Sequence, residues 1–426
     1  MPDNHLSPPD AIDATTRAEL DALLGRLRDT RATKVGFPDA SDFDYTDLAP
    51  FFTGYLLNNL GDPNTDGTYP WHTKPMERQA VATVAGLLRA DEGDWWGYVT
   101  SGAAEGSEWA LWQARRRYPE AIVYTSAATH HAIGAAMDRL DLATVTIRTD
   151  AYGEIDYQDL AGQLDRHRAW PAIVVANIGT AMHEAVDDVR RIRAILDDLA
   201  IARRWVHADA ALSGLPLALL EPDRRPGMDF ADGADSIIVS GHKFLGAPIP
   251  YGVVLARDSL REQGRRVTYT GAPDATLTNS RSGLAALVLW YTLRRHGIDG
   301  LRRRAEQARH LAAYAHGRMV EIGWAGAHRH PHAFTVTFAA PSPDVAARWS
   351  LPDERGHSHI VCMPGVTKEQ INAFIADLTA DLAADRLADR AGVADPVPVS
   401  TQDGRRSGRG GLLRRLIPAT TPADAG

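Results

Sequence analysis

One lysine lies where chemistry is expected, at the end of an apolar run. The segment SIIVSGHKFLG (236–246) places Lys243 after a β-branched stretch, beside Ser240, Gly241 and His242. An amine held at the end of a buried strand, beside groups that bind phosphate, suits a lysine that forms a Schiff base with pyridoxal phosphate (PLP). Burial would lower the pKa of this lysine and keep it nucleophilic. The alternative is an exposed turn lysine, the more common fate of this residue type.

Asp209 ends another apolar run, WVHADA (205–210). A carboxylate in such a setting needs a cationic or proton-donating partner, and a protonated pyridine nitrogen would supply one. That pair would keep the ring cationic, so that it can accept electrons from the substrate. A helix N-cap or a structural ion pair is the alternative, and the presence of Lys243 favours the cofactor interpretation.

Two further segments would complete a cofactor site. His130, in TSAATHHAIG (125–134), follows a strand and could stack on the pyridine ring or approach the substrate. A capping role is the alternative, and spacing does not separate His130 from His131. The segment TSGAAEGS (100–107) leads from a strand into a helix whose free N–H groups form an anion site. Ser240 and His242 could add donors, and Glu105 is expected to point away or to meet an arginine.

The elements around these residues alternate between strand and helix. Short runs rich in Val and Ile predict strands buried on both faces. Their alternation with helical segments predicts an α/β fold with a mostly parallel sheet, with ligands at the carboxyl ends of its strands. FTVTFAA (334–340) alternates like a strand with one exposed face, typical of a smaller α+β domain. Helices are predicted over 16–30, 74–89, 105–118, about 132–140, 284–319 and from Lys368 onward.

These patterns divide the chain into four predicted parts. Residues 1–60 form an N-terminal helical segment, 61–295 a large PLP-binding domain, and 296–390 a small C-terminal domain. Residues 391–426 are predicted to be a disordered tail, as are the first 15 or so. The tail contains Arg405, Arg406, Arg409, Arg414 and Arg415. These arginines could bind an acidic partner, although a solvated tail is the simpler interpretation.

Composition excludes several classes of function. The 426 residues carry a net charge of −8, which argues against nucleic acid as a partner. No apolar run has the length of a membrane span, and the N-terminus lacks the apolar core of a secretory signal.

The single cysteine, Cys362, excludes a disulfide within the chain and fits a reducing compartment. The expected location is therefore the cytoplasm. The histidines are scattered without HExxH or CxxC spacing, so no metal site is predicted.

The ensemble of motifs resembles a known family, the PLP-dependent group II amino acid decarboxylases of fold type I (aspartate aminotransferase-like). The resemblance is greatest to bacterial histidine decarboxylases and plant serine decarboxylases. It rests on LNNLGDP (57–63), YPWHTKPMER (69–78), GYVTSGAAEG (97–106), IVYTSAATHH (122–131), NIGTAM (177–182), HADAALSGLP (207–216), SGHKFLGAPIPYGVV (240–254), SRSG (280–283) and HIVCMPGVT (359–367).

The resemblance implies roles for matching positions. Lys243 would be the Schiff-base lysine, Asp209 the partner of the pyridine nitrogen, and Ala211 and His130 the groups on the two ring faces. Thr180 would lie near the ring hydroxyl. The phosphate would be held by Ser101, Gly102, Ala103, Ser240 and His242. Tyr69 and His72 fall in a segment that lines the substrate pocket in the family. The family forms obligate homodimers with the active site at the interface, which would bring the loop 279–283 near the partner's cofactor.

The predicted reaction is α-decarboxylation of an amino acid, which releases CO2 and an amine. Tyr269, in a loop that is flexible in the family, and His130 are both candidates for the acid that protonates Cα. Ala333 stands where the histidine decarboxylases usually have a serine. Loss of that hydroxyl favours a less polar side chain, such as that of valine or leucine, over histidine.

Three other functions stay open at this point. Some relatives decarboxylate and then oxidise the product to an aldehyde, and the loss of one proton donor would suffice for that. An aminotransferase would need an arginine for the substrate carboxylate, for which the segment HPHAFTVTF (330–338) offers only the preceding Arg329. A scaffold that merely binds the cofactor is disfavoured by the intact Lys243, Asp209 and His130.

Overall fold

A seven-stranded sheet forms the centre of the fold in the computed structural model, which describes residues 12–390. Its strands lie in the order β1-β7-β6-β5-β4-β2-β3. They are β1 (Trp96–Thr100), β2 (Ile122–Ser126), β3 (Ala143–Ile147), β4 (Ala172–Asn177), β5 (Arg204–Asp209), β6 (Ser236–Ser240) and β7 (Gly252–Ala256). Two small sheets pair β8 (Arg265–Val267) with β9 (Ala272–Asp274) and β10 (Thr335–Ala339) with β11 (His357–Val361).

The central sheet is parallel from β3 across to β6, as the alternating pattern predicted. Strand β7 runs antiparallel to both of its neighbours, β6 and β1. Strands β1, β2, β4, β6 and β7 are buried along their whole length, which explains their continuous apolar composition. The carboxyl ends of the parallel strands therefore lie at one edge of the sheet, where the residues predicted to do chemistry follow them.

Ten helices surround these sheets in the described part of the chain. They are α1 (Ala14–Arg31), α2 (Lys74–Leu87), α3 (Ala103–Arg117), α4 (His131–Arg139), α5 (Tyr157–Arg166), α6 (Val189–Asp198), α7 (Gly214–Ala218), α8 (Gly283–Glu321), α9 (Pro343–Trp349) and α10 (Lys368–Arg390). The predicted helices are confirmed with shifts of a few residues at their ends. Asp156 caps α5, because its carboxylate accepts from the N–H groups of Gln158 and Asp159. No helix in the described ranges has both the length and the apolar composition to cross a membrane.

The C-terminal part of the fold begins within α8. This helix has a non-helical backbone at Gly297 (φ 60°), next to the domain boundary predicted after residue 295, which stays a prediction. The expectation that β10 has one exposed face is wrong. Thr335 to Phe338 are all buried, because Val336 and Phe338 pack into an apolar cluster with α10 while Thr335 bonds to Glu184 on the other face. The arginines of the predicted tail lie outside the described residues.

A buried ion pair joins α2 to the segment that precedes α8. The Arg281 guanidinium contacts the Glu77 carboxylate, and both side chains are almost fully buried. Glu77 also accepts from the Val99 N–H (2.9 Å) and from Asn59 Nδ2 (2.8 Å), so β1 depends on the same carboxylate. The pair thus fastens the edge strand β1 to two helices.

Removal of this carboxylate should destabilise the fold strongly. In Glu77→Gln the Arg281 charge would remain buried without its counter-ion, and we expect a loss of about 3–5 kcal/mol in the free energy of unfolding. Denaturant unfolding of the purified protein measures it. Glu92→Gln, at an exposed glutamate in the turn before β1, is the matched control and should change stability by less than about 0.5 kcal/mol. Equal stability of the two variants would contradict the prediction.

Candidate active site

A cavity of about 280 Å³ opens at the carboxyl ends of the sheet strands. The turns and ends of β1, β2, β4, β5 and β6 all contribute to its wall. Most of the residues singled out from the sequence line it, namely Gly102, Ala103, His130, Thr180, Asp209, Ala211, Ser240, His242 and Lys243. Residues separated by up to 141 positions in sequence are therefore brought together by the parallel sheet.

Lys243 lies in a tight turn of π type, residues 242–246, directly after β6. The turn is held by the ring of Tyr251, against which Gly241 packs so closely that an added Cβ would lie 1.8 Å from Cε2. The Gly241 N–H also donates to the Tyr251 carbonyl (2.9 Å). Burial lowers the pKa of the Lys243 amine, against an opposing effect of the Asp209 and Glu184 carboxylates. Such an amine is more readily available as a nucleophile than an exposed lysine.

Asp209 ends β5, in register with Asn177 of β4 and Ile238 of β6. One of its oxygens accepts from the Ala211 N–H at 3.2 Å, which fixes the carboxylate at the cavity wall. The carboxylate keeps further acceptor capacity toward the cavity. A protonated ring nitrogen would satisfy it there.

His130 forms the N-cap of α4 and also lines the cavity, so both predicted interpretations apply to it. Its Nδ1 accepts from the Ala132 N–H (3.2 Å), which leaves the Nε2 of the neutral ring to carry the proton. Loss of hydration, with a smaller effect of His131, lowers the pKa of His130 and favours that neutral form. His131 lies 4.1 Å away between ring centroids but is absent from the wall of this cavity. The structure therefore places His130, and not His131, at the cavity wall, a distinction that the sequence spacing did not allow.

One end of the cavity has the donors that a phosphate requires. Gly102 precedes α3, and the first N–H groups of this helix have no acceptor within the helix. The buried Ser240 hydroxyl has no hydrogen-bond partner within the part of the chain that the structure describes, an unfavourable state unless a ligand supplies an acceptor. The helix start and the Ser240 hydroxyl fit the phosphate of PLP. Thr180, predicted to lie near the ring hydroxyl, accepts through its Oγ1 from the Ala185 N–H at 3.0 Å, so its hydroxyl hydrogen is free to point away from that N–H.

Residues 112–333 match the family model described as the pyridoxal-dependent decarboxylase conserved domain. The chain belongs to this family. The histidine decarboxylase of Mesorhizobium japonicum is 40% identical over 369 residues, which are 86% of this chain and 99% of that protein. Serine decarboxylase 3 of Oryza sativa is 35% identical over 84% of this chain and 80% of its own.

A solved structure shows the same fold. L-methionine decarboxylase from Streptomyces sp. 590 superposes with a TM-score of 0.80 and 26% identity, over 88% of this chain and 96% of that one. The chain is thus a PLP-dependent amino acid decarboxylase of fold type I, a carboxy-lyase, which confirms the predicted family, cofactor and reaction class.

Ser101 lies outside the cavity of this decarboxylase. Its N–H and hydroxyl both donate to Glu105 (2.8 and 2.6 Å), one turn into α3. Glu105 is not among the residues that line the cavity, so it points away from the anion site, which is the first of the two predicted alternatives. The carboxylate turns back on Ser101 and also accepts from the Tyr98 hydroxyl (3.2 Å), so these two residues hold it beside the start of α3.

The four residues predicted for substrate handling are not among those that line this cavity. The Tyr69 hydroxyl donates to the Leu56 carbonyl (2.9 Å), and the His72 Nδ1 faces the Lys74 N–H (3.4 Å). Tyr269 lies in the hairpin of β8 and β9 with 88% of its surface exposed. Ala333 is 3% exposed, and its carbonyl accepts from Arg329. Their proposed roles stay predictions.

Sequence reasoning missed Asn177, which lies within the quoted motif NIGTAM and lines the cavity. Its side-chain amide donates to Ser126 (3.0 Å) and to Asp187 (2.9 Å). Burial raises the pKa of Asp187 to about 7, while its hydrogen bonds from Asn177 and Ile155 oppose that rise. An Asn at the end of a buried strand was the available signal, because a buried amide requires polar partners.

Glu184 was also missed and connects the cavity region to β10. One oxygen accepts from Ser213 (2.8 Å), and the other accepts from the N–H groups of Phe334 and Thr335 (2.9 and 2.8 Å). Its backbone is left-handed (φ 55°), a conformation that costs free energy for a residue other than glycine. These hydrogen bonds offset that cost and fasten the end of the NIGTAM turn to the C-terminal part of the fold.

Proposed function

We propose that this enzyme removes the α-carboxyl group of L-histidine, and that the cavity around Lys243 performs the reaction. The observation that carries the site assignment is the convergence of Lys243, Asp209, His130 and the orphaned Ser240 hydroxyl on one cavity. When bound, PLP supplies an electron sink for the pair released from the Cα–carboxyl bond.

The chain's own residues would orient and protonate the reactants. Lys243 would provide the amine that holds the cofactor. Asp209 would keep a proton on the ring nitrogen, so that the cofactor would supply a cationic electron sink. The neutral ring of His130 would stack on one face of the cofactor ring and Ala211 would contact the other face, and both residues line the cavity. His130 Nε2 and Tyr269 remain the two proposed donors of the proton that Cα receives.

Histidine is proposed on the strength of the relatives. The Mesorhizobium japonicum protein and several other similar proteins carry that activity in their names, and the first aligns over nearly its full length. The expectation of an apolar substrate depended on Ala333, whose side chain is buried away from the cavity wall. The presence of alanine at position 333 therefore no longer argues against histidine as the substrate.

An aliphatic substrate is the second candidate, and the composition of the cavity favours it. Ala128, Ala132, Ile133, Ala181 and Leu212 supply much of the wall. A wall of this kind offers an imidazole few hydrogen-bond partners. The structural similarity to a methionine decarboxylase points in the same direction.

A substrate panel decides between these candidates. Purified enzyme with PLP is given histidine, serine, methionine, valine and leucine, and CO2 and amine are measured for each. We expect kcat/KM for histidine to exceed that for the others by at least about tenfold. A higher value for valine, leucine or methionine would replace histidine with an aliphatic substrate. Oxygen uptake in step with CO2 release would instead indicate the oxidative, aldehyde-forming reaction.

We also propose that the enzyme is a homodimer, as the resemblance implies. Helix α1 has no buried residue, and its Leu20, Leu23, Leu24 and Leu27 are all exposed. Six further large apolar side chains of the N-terminal region are also exposed, namely Phe43, Phe51, Phe52, Tyr55, Leu56 and Trp71. An exposed apolar surface of this extent is typical of an interface. Sedimentation of the holoenzyme as a monomer at micromolar concentration would refute the proposal.

Ser240 should contribute to cofactor affinity rather than to the reaction. In Ser240→Ala the phosphate would lose one hydrogen bond, so we expect the Kd for PLP to rise about tenfold with kcat at saturation nearly unchanged. Titration of the apoenzyme with PLP, followed by absorbance, measures the change. Ser259→Ala, at a serine outside the cavity, is the control. An unaltered Kd in Ser240→Ala would remove this hydroxyl from the phosphate site.

A further inference from the structure

A second cavity, of about 390 Å³, lies between the segment that follows α7 and the second half of α8. Leu219 to Glu221 and Arg224 form one side, and Glu306, Arg309, His310 and Ala313 form the other. Arg329 and His332, from the turn before β10, complete the wall. It shares no lining residue with the cavity around Lys243.

The wall of this cavity is predominantly basic. Three arginines and two histidines face two glutamates, Glu221 and Glu306. Within the part of the chain that the structure describes, none of these arginines has a carboxylate within salt-bridge distance, and Glu221 pairs instead with Arg302 at 3.9 Å. The three arginines outnumber the two glutamates, so the wall of this cavity carries a net positive charge.

Among the three arginines, Arg309 has the greatest need of a counter-ion, because only 8% of its surface is exposed. Its Nη2 donates to the Pro216 carbonyl at 2.5 Å, but its buried Nε has no hydrogen-bond partner among the described residues. Burial lowers the pKa of this guanidinium to about 10, although the Glu306 carboxylate opposes that change, because a buried charge without a directly paired counter-ion costs free energy. An anion in the cavity would relieve this cost.

The other two arginines are placed to contact the same anion. Arg329 Nη1 donates to the Ala333 carbonyl (3.1 Å), which fixes its guanidinium at the wall and leaves its other donors unused. Arg224 Nη2 lies 3.4 Å from His332 Nδ1. His332 has a left-handed backbone (φ 67°), which is uncommon for a residue other than glycine. Its ring is thereby held beside both arginines.

We propose that this cavity binds a small phosphate-bearing anion. Guanidinium groups recognise phosphate through paired N–H donors, and their planar fork suits a tetrahedral oxyanion. Three such groups compensate a doubly charged phosphate better than a singly charged carboxylate. The cavity volume of about 390 Å³ accommodates phosphate with a modest organic substituent.

The test uses holoenzyme in phosphate-free buffer, so that the cofactor already occupies the phosphate-binding end of the active site. Isothermal titration with inorganic phosphate, at constant ionic strength, should reveal one saturable site per chain. Arg224→Gln and Arg329→Gln should each raise its Kd about tenfold, because each removes charge-assisted hydrogen bonds. Arg166→Gln, at an exposed arginine of α5 outside the cavity, should leave the Kd unchanged.

Several outcomes would overturn the proposal. One is the absence of saturable binding in the wild type, and another is a Kd that neither Arg224→Gln nor Arg329→Gln alters. An equal weakening by Arg166→Gln would indicate general attraction to surface charge. Acetate that binds as tightly as phosphate would overturn the assignment to a phosphate-bearing ligand. Arg309→Met is a supplementary variant, and its folding is verified by circular dichroism before titration.

Discussion

Lys243→Ala is expected to abolish decarboxylation, with a fall in kcat of at least about 10³-fold. The cavity offers no second amine, because Lys243 is the sole lysine among the described residues that line it. The variant should also lack the visible absorbance of the lysine-bound cofactor. Both losses follow from the removal of one nucleophile, so they should appear together.

The control for this variant is Lys368→Ala, at an exposed lysine on α10 that contacts the Tyr314 ring. It should retain both absorbance and activity. Activity retained in Lys243→Ala would place the chemistry elsewhere in the chain. Visible absorbance without activity would separate the binding of cofactor from its use.

Asp209→Asn is expected to lower kcat by about 10²–10³-fold while the substrate KM changes little. An amide does not hold a proton on the ring nitrogen, so negative charge that develops after CO2 loss would be poorly stabilised. The loss falls on the transition state rather than on substrate binding, which is the pattern of a specific fall in kcat. Steady-state kinetics with saturating PLP measure it.

Asp138→Asn, at an exposed aspartate of α4, is the control and should leave kcat unchanged. A fall in Asp209→Asn that excess PLP reverses would mean that this carboxylate serves cofactor affinity alone. Full activity in Asp209→Asn would assign the ring nitrogen to another partner.

The parallel sheet and its order of elements could be predicted because local patterns encode them. Buried strands carry unbroken Val and Ile runs, and each chemical residue follows such a run at a position that parallel pairing brings to one edge. The direction of β7 could not be predicted, because an apolar run has the same composition in either orientation. Two-sided burial of β10 was missed for a related reason. Its threonines suggested a solvated face, whereas Thr335 bonds to Glu184, from a turn 151 residues earlier in the chain.

The candidate site was predictable where a side chain acts from a strand end, as Lys243, Asp209 and His130 do. The site was not predictable where a neighbouring side chain competes with the cofactor for the same hydrogen-bond donor. Ser101 belonged to the phosphate segment by position, yet its hydroxyl binds Glu105 within the same turn. The position of Ala333 could not be predicted for a different reason. The sequence around it does not indicate which side of the segment faces the cavity.

The contact between Gly241 and Tyr251 has a consequence for engineering this enzyme. The ring leaves no room for any side chain at position 241, and the Tyr251 hydroxyl is itself buried without a hydrogen-bond partner among the described residues. A change at either position therefore affects the other, so the two must be kept or redesigned together. Libraries that aim to alter substrate choice should leave both unchanged and vary Ile133, Ala181 and Leu212 instead, where the cavity wall can be remodelled without displacing the lysine.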